Sequence, residues 1–97
     1  MTIQKKTNGD VTEIALSGWM DTQSAPELKA AIDALDSGTT ALVLDFKELE
    51  YTSSAGLRTL VAAHKKMNGN LTIRNVSGEI MDILKMAGFD KRLHIEA

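Results

Sequence analysis

Two serines, Ser53 and Ser54, stand side by side between an apolar run, Ala41–Leu44, and an apolar-periodic run made by Leu57, Leu60 and Val61. That order of patterns reads as a strand, a short connection and a helix. The start of a helix leaves about four backbone N–H groups without intrahelical acceptors and carries roughly half a positive charge. A serine oxygen there serves as a cap, and the same place favours a phosphate. Phosphorylation would add a charge of about −1.5 to −2 at neutral pH. The residues three places on are Gly56 and Leu57, so no Glu or Gln completes a capping box with either serine. Capping preferences alone favour one serine as a plain N-cap, and a phosphoacceptor is the competing reading.

Other residue types capable of chemistry are sparse. Asp45, Glu48 and Glu50 could suggest a metal cluster, but Glu48 and Glu50 read better as a solvated connection. His64 and His94 fall in different elements with no carboxylate at ligand spacing, and His64 fits the edge of a helix stripe. No metal site and no catalytic residue is assigned. Walker A, G-x-G-x-x-G and H-E-x-x-H patterns are absent, as is a G-x-S-x-G nucleophile elbow. Nothing therefore points to a nucleotide, another cofactor or an enzymatic reaction. Met67, Met81 and Met86 serve as core gap-fillers or as an adaptable surface. Trp19 is either a partner anchor or a lid on the core.

The 97 residues fit one domain, 1–97, with a modest core. The net charge of −2 argues against general nucleic-acid affinity and against a polybasic membrane anchor. The chain has no cysteine, which removes disulfides and thiolate chemistry and fits a reducing cytoplasm. The opening MTIQKKTNGD is too polar for a signal peptide, and no apolar run approaches the ~20 residues of a membrane span. The expectation is a cytoplasmic monomer that binds neither nucleic acid nor membrane.

The elements that would position the serines follow from patterning. Residues 2–7 read as a strand, Asn8-Gly9 as a hairpin turn, and Val11–Ser17 as an antiparallel second strand. Gly18-Trp19-Met20-Asp21 leaves that strand. Ser24-x-x-Glu27 reads as a capping box for a helix over about 25–36, with Leu28, Ala31, Ile32 and Leu35 on one stripe. Ala41–Phe46 reads as a central strand covered on both sides. Asp45 lies near its C-terminal end, where open α/β sheets place functional groups. A helix over Ser54–Lys66 is stopped by Asn68-Gly69, and a strand over Leu71–Val76 follows. Ser77 caps a third helix carrying Ile80, Ile83, Leu84 and Ala87, with Gly88 just past its end. Leu93 and Ile95 suggest a short last strand. The expected fold is α/β, order ββαβαβα(β), a mixed sheet of four to five strands with helices mainly on one face.

The segment from Leu42 through Asp45, Leu49, Tyr51-Thr-Ser-Ser-Ala-Gly56-Leu57-Arg58 to Leu60 resembles the signature of STAS domains, specifically bacterial anti-sigma factor antagonists. Leu16-x-Gly18-x-x-Asp21 and Ile83-Leu84-x-Met86-Ala87-Gly88-Phe89 resemble flanking parts of the family in the expected order. The resemblance implies a partner-switching protein. Its unphosphorylated form would bind an anti-sigma factor that is also a GHKL-type serine kinase. Phosphorylation at the start of the second helix would end that binding, and a PP2C-type phosphatase would restore it. The commonest family pattern is Asp-Ser-Ser/Thr-Gly-Leu. Aligned on Gly56-Leu57, Ser53 takes the Asp position, Ser54 the first hydroxyl position and Ala55 the second. The resemblance therefore implies Ser54 as acceptor, with Ser53 as the alternative. It implies a binding face on Ser53, Ser54, Gly56, Leu57 and Arg58, with Trp19 and Asp21 nearby. A constitutive STAS adaptor, for example a subunit of a transporter complex, is the rival reading.

Overall fold

A computed structural model describes residues 1–97. Strand β1 (Thr2–Asn8) and strand β2 (Val11–Met20) pair antiparallel, with Asn8 opposite Val11. The two-residue loop is thus Gly9-Asp10, and only Gly9 takes a positive φ, +64°. Asn8 belongs to the strand rather than to the turn. Helix α1 (Ala25–Asp33) leads to strand β3 (Ala41–Thr52), helix α2 (Ser54–Lys66) to strand β4 (Leu71–Arg74), and helix α3 (Gly78–Met86) with a 3-10 turn at Phe89–Lys91 to strand β5 (His94–Ile95).

The sheet order is β1-β2-β3-β4-β5, with every pair after the hairpin parallel. Parallel crossovers are right-handed almost without exception. When each crossover also steps in the same direction, all three helices must land on one face. The core follows. Ile14, Leu16, Leu42, Leu44, Phe46, Leu71 and Ile73 project from the sheet against Leu28, Ile32, Leu60, Ala63, Ile80 and Leu84 of the helices, and all are buried. Because the strand order never reverses, the sheet has no switch-point crevice of the kind that holds ligands in doubly wound folds.

The structure corrects several expectations. β3 is central, but only one of its faces is covered: Ala41, Val43 and Asp45 are half-buried on the open side. An all-apolar run can also arise where small aliphatics line a bare sheet face. β2 continues through Trp19 and Met20, and β3 runs six residues past Phe46. Two register shifts explain the extension, because β3 spends one extra residue between Asp45 and Glu48 and another between Leu49 and Tyr51. Each bulge breaks the alternation that a strand would otherwise show. Glu48 and Glu50 are exposed as expected, but they lie within β3 rather than in a connection. Asp45 is fastened to the first bulge: its carboxylate accepts from Lys47 N–H at 2.9 Å and from Asn75 Nδ2 at 3.0 Å.

Candidate partner-binding surface

Helix α2 begins where expected, and the two serines at its start stand in different surroundings. Ser53 is the N-cap, with extended backbone (φ −98°, ψ 176°), and its Oγ accepts from Gly56 N–H at 3.4 Å. Its own N–H donates to Met20 O at 2.8 Å, tying the helix start to the end of β2. Ser54 is the first helical residue and is exposed. Its hydroxyl is free for solvent while its neighbour supplies the cap. No acidic residue lies in the first turn of α2, whereas His64, Lys65 and Lys66 occupy its last turn and complement the dipole there.

Close packing holds this helix start against the sheet. Gly56 is buried, and a Cβ on it would stand 2.4 Å from Thr52 Oγ1 and 2.9 Å from Met20 Cε and Cγ. Only glycine lets the first turn of α2 sit this close to the strand ends. Gly56 therefore shapes the expected binding face from beneath, with no side chain to present. Leu57 is half-buried against the core, and Arg58 is exposed one turn along from Ser54.

Trp19 and Asp21 do lie near the serines, because Met20 and Thr52 are register partners and Ser53 follows at once. The capping box expected at Ser24 does not form. Asp21 makes the turn instead, its Oδ1 accepting from Gln23 N–H at 3.0 Å and Ser24 N–H at 2.9 Å. Ser24, now buried, donates its hydroxyl to Trp19 O at 2.7 Å and accepts from Asp21 N–H at 2.9 Å. Bonds from Ser24 hold the Asp21 carboxyl below its ordinary value of 3.8. Asp21 thus has a structural task in the β2–α1 turn, whatever it meets outside.

Trp19 is not a lid. Its side chain is 57% exposed and stacks on Tyr51, 38% exposed, with ring centroids 5.0 Å apart and planes tilted by 42°. Tyr51 is the functional candidate that pattern reading missed. Its neighbour relation to Trp19 depends on the two bulges, and spacing along the chain does not reveal them.

The remaining candidates scatter. His64 borders Gly69 near the far end of α2, and His94 sits 3.2 Å from Glu96 on the last strand. The carboxylate that His94 seemed to lack is therefore two residues away. No group of three or more His, Cys, Asp or Glu side chains is placed to hold a metal ion. Met67 is buried, Met81 half-buried and Met86 89% exposed, so the three methionines do not form one surface. No helix is long and apolar enough to cross a membrane.

This arrangement matches a known family. The family described as "Mlab, STAS domain" matches residues 3–95. The chain belongs to the STAS-domain family. Among curated STAS relatives, the anti-sigma-B factor antagonist of Staphylococcus aureus is 25% identical over 99 aligned residues, which cover 98% of this chain and 92% of that one. The crystal structure of an anti-sigma factor antagonist from Mycobacterium paratuberculosis superposes with a TM-score of 0.87 at 26% identity, covering 98% and 84% of the two chains. The Bacillus cell fate determinant SpoIIAA in its phosphorylated form shares the STAS fold, with a TM-score of 0.76 at 16% identity over 99% and 92% of the chains.

Proposed function

We propose that this chain is an anti-sigma factor antagonist, one STAS domain over residues 1–97, controlled by phosphorylation of Ser54. The observation that carries the reading is the division of labour between the serines. Ser53 takes the cap in place of the family's usual carboxylate, so Ser54 is left exposed on a helix start that has no acidic neighbour in its first turn. A phosphate on Ser54 would leave the cap intact and meet the positive end of the helix dipole. The fold would accommodate it, while a partner docked on the α2 start would meet a new dianion and three bulky oxygens. The names of the relatives support an anti-sigma factor as the partner, and a phosphorylated protein of the same fold supports the switch. The partner would be a GHKL-type anti-sigma factor and serine kinase, with a PP2C-type phosphatase reversing the modification. The footprint would comprise Ser53, Ser54, Leu57 and Arg58, flanked by Trp19 and Asp21, with Gly56 setting its depth. In this reading the chain is a regulatory binding protein rather than an enzyme, working as a cytoplasmic monomer.

Intact-mass spectrometry of the protein isolated from its own organism tests this, followed by fragment mapping. One added phosphate of about 80 Da on Ser54, lost in Ser54→Ala, is expected. A folded Ser54→Asp variant should also fail to bind the cognate kinase. An unmodified mass under all growth conditions, together with undiminished binding by Ser54→Asp, would overturn the switch and leave a constitutive adaptor.

A further inference from the structure

The open face of the sheet carries a second surface, which meets the edge of the Ser54 footprint at Trp19 and extends away from it. Trp19 and Tyr51 are register partners whose stacked rings stand exposed at the ends of β2 and β3. Leu49 and Thr52 face the core, as does Met20, so Trp19 and Tyr51 project to the side opposite the helices. Glu48 shares that side, because its register partner is Ser17, which alternates with the buried Leu16. Glu50 is the extra residue of the second bulge and is exposed beside Tyr51.

The ion pairs of the molecule involve Asp33 and Glu96, so Glu48 and Glu50 have no cationic partner. Lys47, their neighbour in sequence, forms no ion pair with either. An exposed aromatic stack bordered by unpaired carboxylates has a defined complement. A guanidinium or ammonium group lies favourably over an aromatic face, and it pairs with a carboxylate at the same time. An apolar or acidic ligand would use only part of this surface. The bulges matter here, because without them Tyr51 would not stand opposite Trp19.

We infer that the Trp19–Tyr51 stack and the Glu48 and Glu50 carboxylates form a docking surface for an arginine- or lysine-bearing segment of a protein partner. This extends the binding reading to the other face of the sheet and does not depend on phosphorylation. Trp19 is the sole tryptophan, so intrinsic fluorescence reports on the surface directly.

A capped tri-arginine peptide titrated into the full chain at low salt should give a saturable change in Trp19 emission, and a tri-glutamate peptide should give none. Glu48→Gln/Glu50→Gln should raise the tri-arginine Kd about fivefold. Asp36→Asn/Asp82→Asn changes the net charge equally at exposed sites elsewhere and should leave that Kd unchanged. Tyr51→Ala should weaken binding, and Ser54→Asp should not. No saturable response, or equal weakening by the two double variants, would overturn the inference. A tri-arginine response that survives while Ser54 proves unmodified would separate the fate of this surface from that of the phosphoswitch.

Discussion

Helices α2 and α3 start in nearly the same way and face opposite demands. Each has a serine N-cap whose Oγ accepts from the N–H three residues on, at 3.4 Å for Ser53 and 3.3 Å for Ser77. Each has a glycine in its first turn. There the likeness ends. α3 carries Glu79 in that turn, so its dipole already has an anion, and a Cβ on Gly78 would meet open space. α2 has no first-turn acid, has a second, exposed serine, and has a glycine wedged against Thr52 and Met20. One helix start is electrostatically complete, and its glycine faces open space. The other is tightly seated and electrostatically open. A capping motif therefore does not reveal whether a serine is structural; its surroundings do.

The contrast is broken most sharply at the glycines. Gly56→Ala should destabilise by about 1–3 kcal/mol, the usual cost of forcing atoms into a packed site. Gly78→Ala should be neutral or stabilising by up to about 1 kcal/mol, and urea unfolding of both variants measures the difference. The serines sharpen the comparison at smaller scale. Ser53→Ala and Ser77→Ala should each cost about 1 kcal/mol as lost caps, while Ser54→Ala should stay within about 0.5 kcal/mol. Equal losses at Ser53 and Ser54 would mean that both hydroxyls support the helix.

The smallest expected effect lies in the β2–α1 turn, where a carboxylate makes the turn that a serine makes at α2 and α3. Asp21 is held below 3.8 in the folded chain. Its contribution is therefore fully present above the unfolded value and is lost as pH falls through the lower, folded one. Acid titration of stability should show a steeper decline below about pH 3.8 in the parent than in Asp21→Asn. The Lys29–Asp33 pair acts with the same sign, since Lys29 also lowers Asp33, and Asp33→Asn is the control that separates the two.

Much of this was legible along the chain. The bounds of α2 were marked by a serine before it and by Asn68-Gly69 after it, where φ reaches +52° and +86°. Ser77 and Gly88 bracketed α3 in the same way. What escaped depends on competition and on pairing. The Ser24-x-x-Glu27 spacing is a sound capping signal, but Asp21 reached the free N–H groups first. The far half of β3 looked like a loop, because bulges bring Glu48 and Glu50 into a run that alternation would reserve for apolar residues. Among the proposed site residues, Ser53 and Ser54 stood out from the strand-to-helix pattern, and Arg58 only from the resemblance to STAS domains. Tyr51 did not, since its partner lies across a register shifted twice.

The unreversed strand order also bears on how the chain acquires its shape. Starting Val11 against Ala41, Leu42 against Leu71, and Thr72 against His94 closes segments of roughly 30, 30 and 20 residues, so the entropy lost at each closure is modest. Every strand is laid down beside the one just completed, and none waits for a distant partner. A polypeptide emerging from the ribosome could zip its sheet from the hairpin outward, with each helix folding down as its strand docks. Each parallel closure still spans roughly 20–30 residues, so the β1–β2 hairpin should form first and the parallel pairings should set the overall rate.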